Sequence, residues 1–233
     1  MKPYTYLLIN FFTIIVCFIF SFHPRIRFDR YFGTFLKSTT LVAIPFIIWD
    51  SLFTHYGIWW FNTDYTLNLN IAGLPLEECL FFYCIPFACI FTYYCLTQFF
   101  DLSSFNKYDP FIVVVSVTFC VAIAFLFPTR TYTFVTALIT AITLTYLQWV
   151  AKVNWIGQAS IIYCVLLLGF FPVNGILTGT GLESPIVNYN PDTFLNLRML
   201  TIPIEDAVYG YTLFVLNIHF FKRLKKLRTE LLN

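Results

Sequence analysis

The sequence predicts an all-α integral membrane protein of about seven transmembrane helices, arranged as two parallel three-helix repeats joined by a linking helix. Three observations carry that prediction. The 233 residues are 59% hydrophobic and only 11% charged, whereas a soluble domain carries about 25% charged residues. Seven stretches are apolar over the roughly 20 residues that a bilayer span requires. A short acidic motif also occurs twice. Pro75-Leu76-Glu77-Glu78 opens one apolar run, and Pro203-Ile204-Glu205-Asp206 opens another 128 positions later.

The stretches lie near 4–22, 36–56, 76–98, 110–127, 132–151, 156–178 and 203–221. The first has no small-residue cleavage site and is followed by Arg25, Arg27 and Arg30, so it reads as a retained helix rather than a signal peptide. The second carries Pro45, Trp49 and Asp50, and the third and seventh begin at the acidic motifs. The 128-residue offset recurs around those motifs, matching Tyr4 to Tyr132, Asn62 to Asn190, Leu69 to Leu197 and Tyr83 to Tyr211. Helices one to three and five to seven therefore read as two copies. The single crossing between them gives both the same orientation, a parallel repeat. The expected division is 1–100 for the first repeat, 101–130 for the linking helix, 131–223 for the second repeat and 224–233 for a basic tail.

Charge orients the chain. Arg25, Arg27, Arg30, Lys37, Lys107, Lys152 and the tail's Lys222, Arg223, Lys225, Lys226 and Arg228 fall on one side. Only Lys2, Arg130 and Arg198 fall on the other. Positive charge marks the cytoplasmic face, which places the N-terminus outside and the C-terminus in the cytoplasm. Both acidic motifs and both long connectors, 57–74 and 179–202, then lie on the outer side. The expected location is a bacterial inner (cytoplasmic) membrane.

Composition also excludes several functions. A net charge of +2 names no partner, and no nucleic-acid surface is present. The seven cysteines sit mostly inside apolar runs without a paired Cys-x-x-Cys spacing, so they read as small packing residues, not as a metal site or disulfide framework. There is no Gly-x-Gly-x-x-Gly after a strand and no P-loop, which argues against a dinucleotide or nucleotide cofactor. No aspartate-rich motif is present to hold a diphosphate through magnesium. No cofactor and no metal are expected.

The acids carry the chemistry. Proline at the start of a helix followed by a carboxylate is an ordinary helix opening, and that explains either copy alone. The repetition points further, because other helix starts in the chain do not use doubled acids. Adjacent acids in an apolar cavity can share one proton and titrate as a unit. Neighbouring helical residues point about 100° apart, so one acid of each pair is expected to face the cavity. Asp50 is a further intramembrane acid and a functional candidate. By the 128-residue offset its counterpart is Thr178, with Asn174 one turn earlier. The connectors add polar groups, among them Asn62 and Asn190. Aromatic residues make up 21% of the chain, and ring faces can steady a carbocation.

Pro-x-Glu-Glu and Pro-x-Glu-Asp opening helices in tandem three-helix units resemble the membrane-integral carotenoid cyclases, in the form where two small polypeptides are fused into one chain. The resemblance covers about 4–98 and 132–221, in the contexts PLEECLFF and PIEDAVYG. It implies lycopene β-cyclase activity: lycopene to γ-carotene to β-carotene, an isomerisation without net redox change. Its motif falls on Glu77, Glu78, Glu205 and Asp206, which become the candidate catalytic residues. Asp50, Asn62, Asn174, Asn190, Tyr83 and Tyr211 are the candidates for binding substrate or stabilising a cation. The second copy departs from the pattern with Asp206 in place of Glu and a less aromatic continuation. The implied partners are a lipid-soluble carotenoid, the membrane and other enzymes of carotenoid synthesis. Paired repeats with intramembrane acids also suit a proton-coupled transporter of a small molecule, which is the alternative reading. A seven-helix receptor or pigment scaffold has no use for a matched acidic pair.

Overall fold

The computed structural model describes residues 2–230. Seven helices follow in chain order: α1 (Thr5–Ser21), α2 (Phe32–His55), α3 (Leu76–Phe99), α4 (Asp109–Leu126), α5 (Thr131–Thr145), α6 (Ile156–Leu177) and α7 (Ile204–Glu230). A wider π-type turn, Tyr146–Val150, prolongs α5. Among the described residues, six helices are long and apolar enough to cross a membrane, namely those containing α1 to α6. The seventh expected span is α7, which falls short of that measure. Its stretch includes Glu205, Asp206, Asn217 and His219, all buried. A helix enclosed by its neighbours can hold polar residues that a lipid-facing helix cannot. The expected tail is not separate over its first part, since α7 runs through Glu230; positions 231–233 lie outside the described residues.

The helices are interleaved between the repeats. α1 packs on α3 within the first repeat and α5 on α7 within the second, while α2 packs on α7 and α3 touches α6. α4 lies against α5. Prolines inside α2 (Pro45), α3 (Pro86) and α6 (Pro172) each remove one backbone donor. Neighbouring helices make this tolerable in a membrane.

The connectors reveal the repeat in detail. β2 (Asn70–Ile71) pairs with β3 (Leu74–Pro75), and β5 (Arg198–Met199) pairs with β6 (Ile202–Pro203), two hairpins at the same offset. Each feeds directly into an acidic helix. Both place non-glycine residues at matching positions in the left-handed region: Asn68 with Asn196 and Ala72 with Leu200. Between the repeats, β1 (Trp59–Phe61) pairs antiparallel with β4 (Val187–Tyr189). Trp59 meets Tyr189, Trp60 meets Asn188 and Phe61 meets Val187. Under the 128-residue offset this ladder maps onto itself. The bonds beyond it do too: Asn62 N donates to Ile186 O, and Asn190 N donates to Ile58 O, both at 2.8 Å. The two connectors thus close on one another across a local two-fold axis, as an isologous interface does.

Among the described residues, the two largest of four apolar clusters fill most of the bundle. One joins Phe28, Phe35, Phe87, Phe91, Trp155, Phe214 and Phe221 towards the end where α3 and α7 finish. The other joins Val42, Phe46, Trp49, Phe53, Phe82, Tyr132 and Leu213 near the acidic helix starts. Asp109, at the start of α4, caps α6. Its carboxylate accepts from Ile156 N at 3.1 Å and Gly157 N at 2.7 Å, satisfying two donors that a helix start otherwise leaves open. A Cβ on Gly157 would lie 2.2 Å from Phe105 O, so this close approach requires glycine.

Candidate active site

Both acidic motifs follow from the same local construction. A hairpin delivers a proline, Pro75 or Pro203, and the helix begins at the next residue. The two acids therefore occupy the first turn, where exposed N–H groups favour negative charge. All four are nearly removed from solvent: Glu77 is 0% exposed, Glu78 7%, Glu205 3% and Asp206 7%.

Within each motif the acids divide. The first acid turns back to its own connector. Glu77 Oε1 accepts from Leu67 N at 2.6 Å. Glu205 Oε1 accepts from Leu195 N at 2.9 Å and from Thr133 Oγ1 at 2.5 Å. The second acid turns inward. Glu78 and Asp206 line one cavity of about 90 Å³ together with Asp50, Asn174, Tyr6, Tyr132, Tyr189, Trp59 and Tyr209. The strand pair β1/β4 roofs it through Trp59, Phe61, Val187 and Tyr189. On the helical wall, Phe81 and Ile85 of α3 and Phe170 and Asn174 of α6 are half-buried, whereas Asp50, the α2 residue of the lining, is buried. Tyr209 and Gly210 of α7 are half-buried too, so the cavity is less enclosed along α3, α6 and α7 than beside α2. The opposite side is sealed by Phe46, Trp49 and Phe82.

The hydrogen bonds differ between the inward acids. Tyr6 Oη donates to Glu78 Oε2. Asp50 lines the cavity beside Glu78, and Trp59 Nε1 donates to Asp50 Oδ1 at 2.5 Å. Asp50 Oδ2 is buried with no hydrogen-bond partner. Two carboxyl groups lining one cavity can bond to each other only through a shared proton. If both were ionised about 4 Å apart, their repulsion would be about 4 kcal/mol at an effective dielectric of roughly 20. Asp206 instead accepts two phenolic protons, from Tyr132 at 2.6 Å and Tyr189 at 2.8 Å, one on each oxygen. Burial and the neighbouring Asp206 push the Tyr189 phenol well above its ordinary value, so it remains a donor. The first half of the cavity holds two acids, Asp50 and Glu78. The second holds a carboxylate whose two oxygens are both occupied by donors.

Of the residues singled out in the sequence, the structure brings Glu78, Asp206, Asp50 and Asn174 together. Glu77 and Glu205 are buried beside them but anchor the connectors. Asn62 and Asn190 lie outside the cavity; each side-chain oxygen accepts from the backbone two residues on, Asp64 N and Asp192 N, both at 3.0 Å. Tyr83 bonds Thr40 at 3.3 Å and Tyr211 bonds Ser160 at 2.8 Å, both within the bundle. The residues the sequence reading missed are the phenols Tyr6 and Tyr189 and the indole of Trp59. Tyr132 had been matched to Tyr4, but the residue that does the same work is Tyr6, 126 positions before it. The first helices of the two repeats are thus two residues out of step with the motifs. Asp50 needs a similar correction. Counted from the helix prolines, it lies five residues after Pro45, and the residue five after Pro172 is Leu177. Leu177 lines the cavity. Thr178 bonds Thr201 in the second hairpin, as Ser51 bonds Ala72 in the first.

The site is an aromatic-walled chamber between membrane helices, and its ionisable lining residues are acids and phenols, a setting suited to an apolar substrate. A family model described as Lycopene cyclase matches residues 3–96 and 129–224. The chain belongs to the lycopene cyclase family, and it contains the family's unit twice. The matches begin 126 residues apart and end 128 apart, the same two-residue slip that separates Tyr6 from Tyr132. Neither a curated protein nor a solved structure matches the chain. Membership makes it a membrane-embedded carotenoid cyclase acting on a lipid-soluble substrate.

Proposed function

We propose that this chain is a lycopene β-cyclase in which the two repeats, 1–100 and 131–223, supply unequal halves of one active site, with 101–130 as the joining segment. The observation that carries the reading is the meeting of Glu78, Asp50 and Asp206 in one enclosed aromatic cavity. An end of the linear polyene enters between α3 and α6. The proton shared by Asp50 and Glu78 passes to C2 of the terminal double bond, leaving a cation at C1. The C5–C6 double bond attacks C1 and closes the ring, which moves the positive charge to C5. Loss of the C6 proton to Asp206 then forms the C5–C6 double bond of a β-ring. No electrons are gained or lost. General acid and base groups of this kind are each worth roughly 10²–10⁴ in rate.

The surroundings suit a cation. Trp59, Tyr132, Tyr189 and Tyr209 present rings to the cavity, and ring faces attract positive charge. The Asp206 carboxylate adds electrostatic stabilisation where charge develops. Exclusion of water prevents capture of the cation as an alcohol. Asn174 stands at the cavity opening and is placed to orient the incoming end. Glu77 and Glu205 act as positioning residues that fix the acidic helix starts to the roof. The charge distribution supports a cytoplasmic C-terminus in a bacterial inner membrane, with the cavity towards the outer side.

The test is expression in cells that accumulate lycopene, with chromatographic separation of the extracted pigments. Bicyclic β-carotene is the expected product. An ε-ring product would move the final deprotonation from C6 to C4. Unchanged lycopene, with the protein present in the membrane, would overturn the reading.

A further inference from the structure

At the end of the bundle opposite the acids, a second cleft of about 760 Å³ opens where α3 finishes and α7 emerges. Its floor is aromatic and its rim is cationic. Tyr93 and Phe221 are buried at the base, and Lys222, Lys225 and Lys226 stand along one side. Thr97, Gln98, Ser103 and Gln158 add neutral hydrogen-bonding side chains. The cytoplasmic excess of lysine and arginine accounts for basic residues at this end of the bundle. It does not account for three lysines converging on one concave, aromatic-floored space.

The ammonium groups are held over rings. Lys225 Nζ lies 4.3 Å from the Tyr31 centroid and 5.1 Å from that of Tyr94. Lys222 Nζ lies 5.7 Å from the Trp155 centroid and donates to Tyr93 Oη at 3.5 Å. Among the described residues no carboxylate pairs with Lys222. Lys226 pairs with Glu230 at 3.7 Å, at a well exposed site. The acid of the rim, Asp101, is turned into its own segment, accepting from Ser103 N at 3.0 Å and Ser103 Oγ at 2.6 Å. Burial and the neighbouring Lys225 together push the Lys222 ammonium below its ordinary value. An anion between these lysines would relieve that cost.

We propose that this cleft binds the phosphate headgroup of an anionic lipid, with the lysines on the phosphate and the start of an acyl chain against Tyr93 and Phe221. Two observations favour a lipid over free phosphate: the cleft is far larger than a phosphate ion, and its floor is apolar. The cleft also lies at the end of membrane-spanning helices, where headgroups are at hand. This site is separate from the acid cavity and does not depend on the reaction assigned to it.

The test uses the full chain purified in detergent and titrated separately with phosphatidylglycerol, phosphatidylcholine and inorganic phosphate. Binding is followed by thermal stability and by lipid retained in native mass spectrometry. Phosphatidylglycerol is expected to raise the melting temperature saturably, and phosphatidylcholine is not. K222Q/K226Q is expected to weaken phosphatidylglycerol binding roughly twentyfold, as two lysines near an anionic headgroup warrant. K222R/K226R is expected to retain most of it. The charge-matched K37Q/R25Q, on exposed residues outside the cleft, should bind as the wild type does. Equal loss in K37Q/R25Q would show general attraction to charge and overturn the proposal. So would unchanged binding in K222Q/K226Q, or a full stability shift from inorganic phosphate alone. If K222Q/K226Q does not fold, K226Q alone decides, because Lys226 is exposed and its removal leaves the floor intact.

Discussion

The two halves of the acid cavity share a backbone plan and differ in chemistry at three places. Phe170, Asn174 and Gly210 line the cavity from the second repeat without a counterpart, and four pairs match: Tyr6 with Tyr132, Glu78 with Asp206, Phe81 with Tyr209 and Ile85 with Leu213. The exceptions are Asp50 against Leu177, Trp59 against Val187 and Phe61 against Tyr189. Each exception alters the surroundings of the acids in its half. Asp50 puts a second carboxyl in the lining with Glu78, and Trp59 donates to Asp50. Tyr189 gives Asp206 a second phenol and leaves it with two donors. Duplication produced one chamber with two acids facing it. Under the proposed mechanism, divergence at these side chains would suit one half to giving a proton and the other to receiving one. This follows the general pattern in which two titratable groups are assigned opposite roles by their environments.

The most direct way to break this comparison is to neutralise each inward acid. Glu78→Gln and Asp206→Asn are each expected to lower cyclisation at least 100-fold, since each removes a proton-transferring group. The measurement is initial rate of cyclised pigment per amount of folded protein in the membrane. If one variant retains near-normal rate, the chamber works with a single half-site and the division of labour is wrong.

A finer test erases the differences one at a time. Asp50→Leu makes the first half resemble the second. It removes the carboxyl that shares the proton, and a loss of roughly 10- to 100-fold is expected. Tyr189→Phe makes the second half resemble the first by deleting one donor to Asp206. The cost should be smaller, roughly tenfold, in line with removal of one hydrogen bond to a charged group. Reversal of that order would place the proton donor in the second repeat.

Much of this was legible in the sequence, and the illegible part has physical reasons. Hydropathy and the doubled motif disclosed the helices and the repeat, because both depend on local composition. The offset also reached the connectors, where Asn62 and Asn190 perform the same turn in both copies. Helical geometry showed that only one acid per motif would face the cavity, but not which one. That depends on how α3 and α7 are rotated against their neighbours, a tertiary property. The phenols escaped because each pairing spans two helices: Tyr6 and Glu78 are 72 positions apart, and Tyr132 and Asp206 are 74 apart. A single offset could not align both helix pairs. The β1/β4 ladder was hidden for a similar reason, since its three residue pairs join one repeat to the other.

The smallest effects on chemistry are expected at the outward acids, and the two repeats should differ there as well. Glu77→Gln and Glu205→Gln leave an amide oxygen that still accepts from Leu67 N and Leu195 N. Activity per folded protein should therefore stay within about threefold of the wild type, with a stability cost of about 1 kcal/mol. Alanine removes the acceptor. Glu77→Ala strands one buried donor, whereas Glu205→Ala strands both Leu195 N and Thr133 Oγ1. With a stranded donor costing about 1–3 kcal/mol, Glu205→Ala should reduce folded protein more than Glu77→Ala. Thermal stability of the purified variants measures this directly. If instead the glutamine variants fold normally and lose cyclisation, the first acid of each motif takes part in proton transfer. The cavity acids would then not act alone.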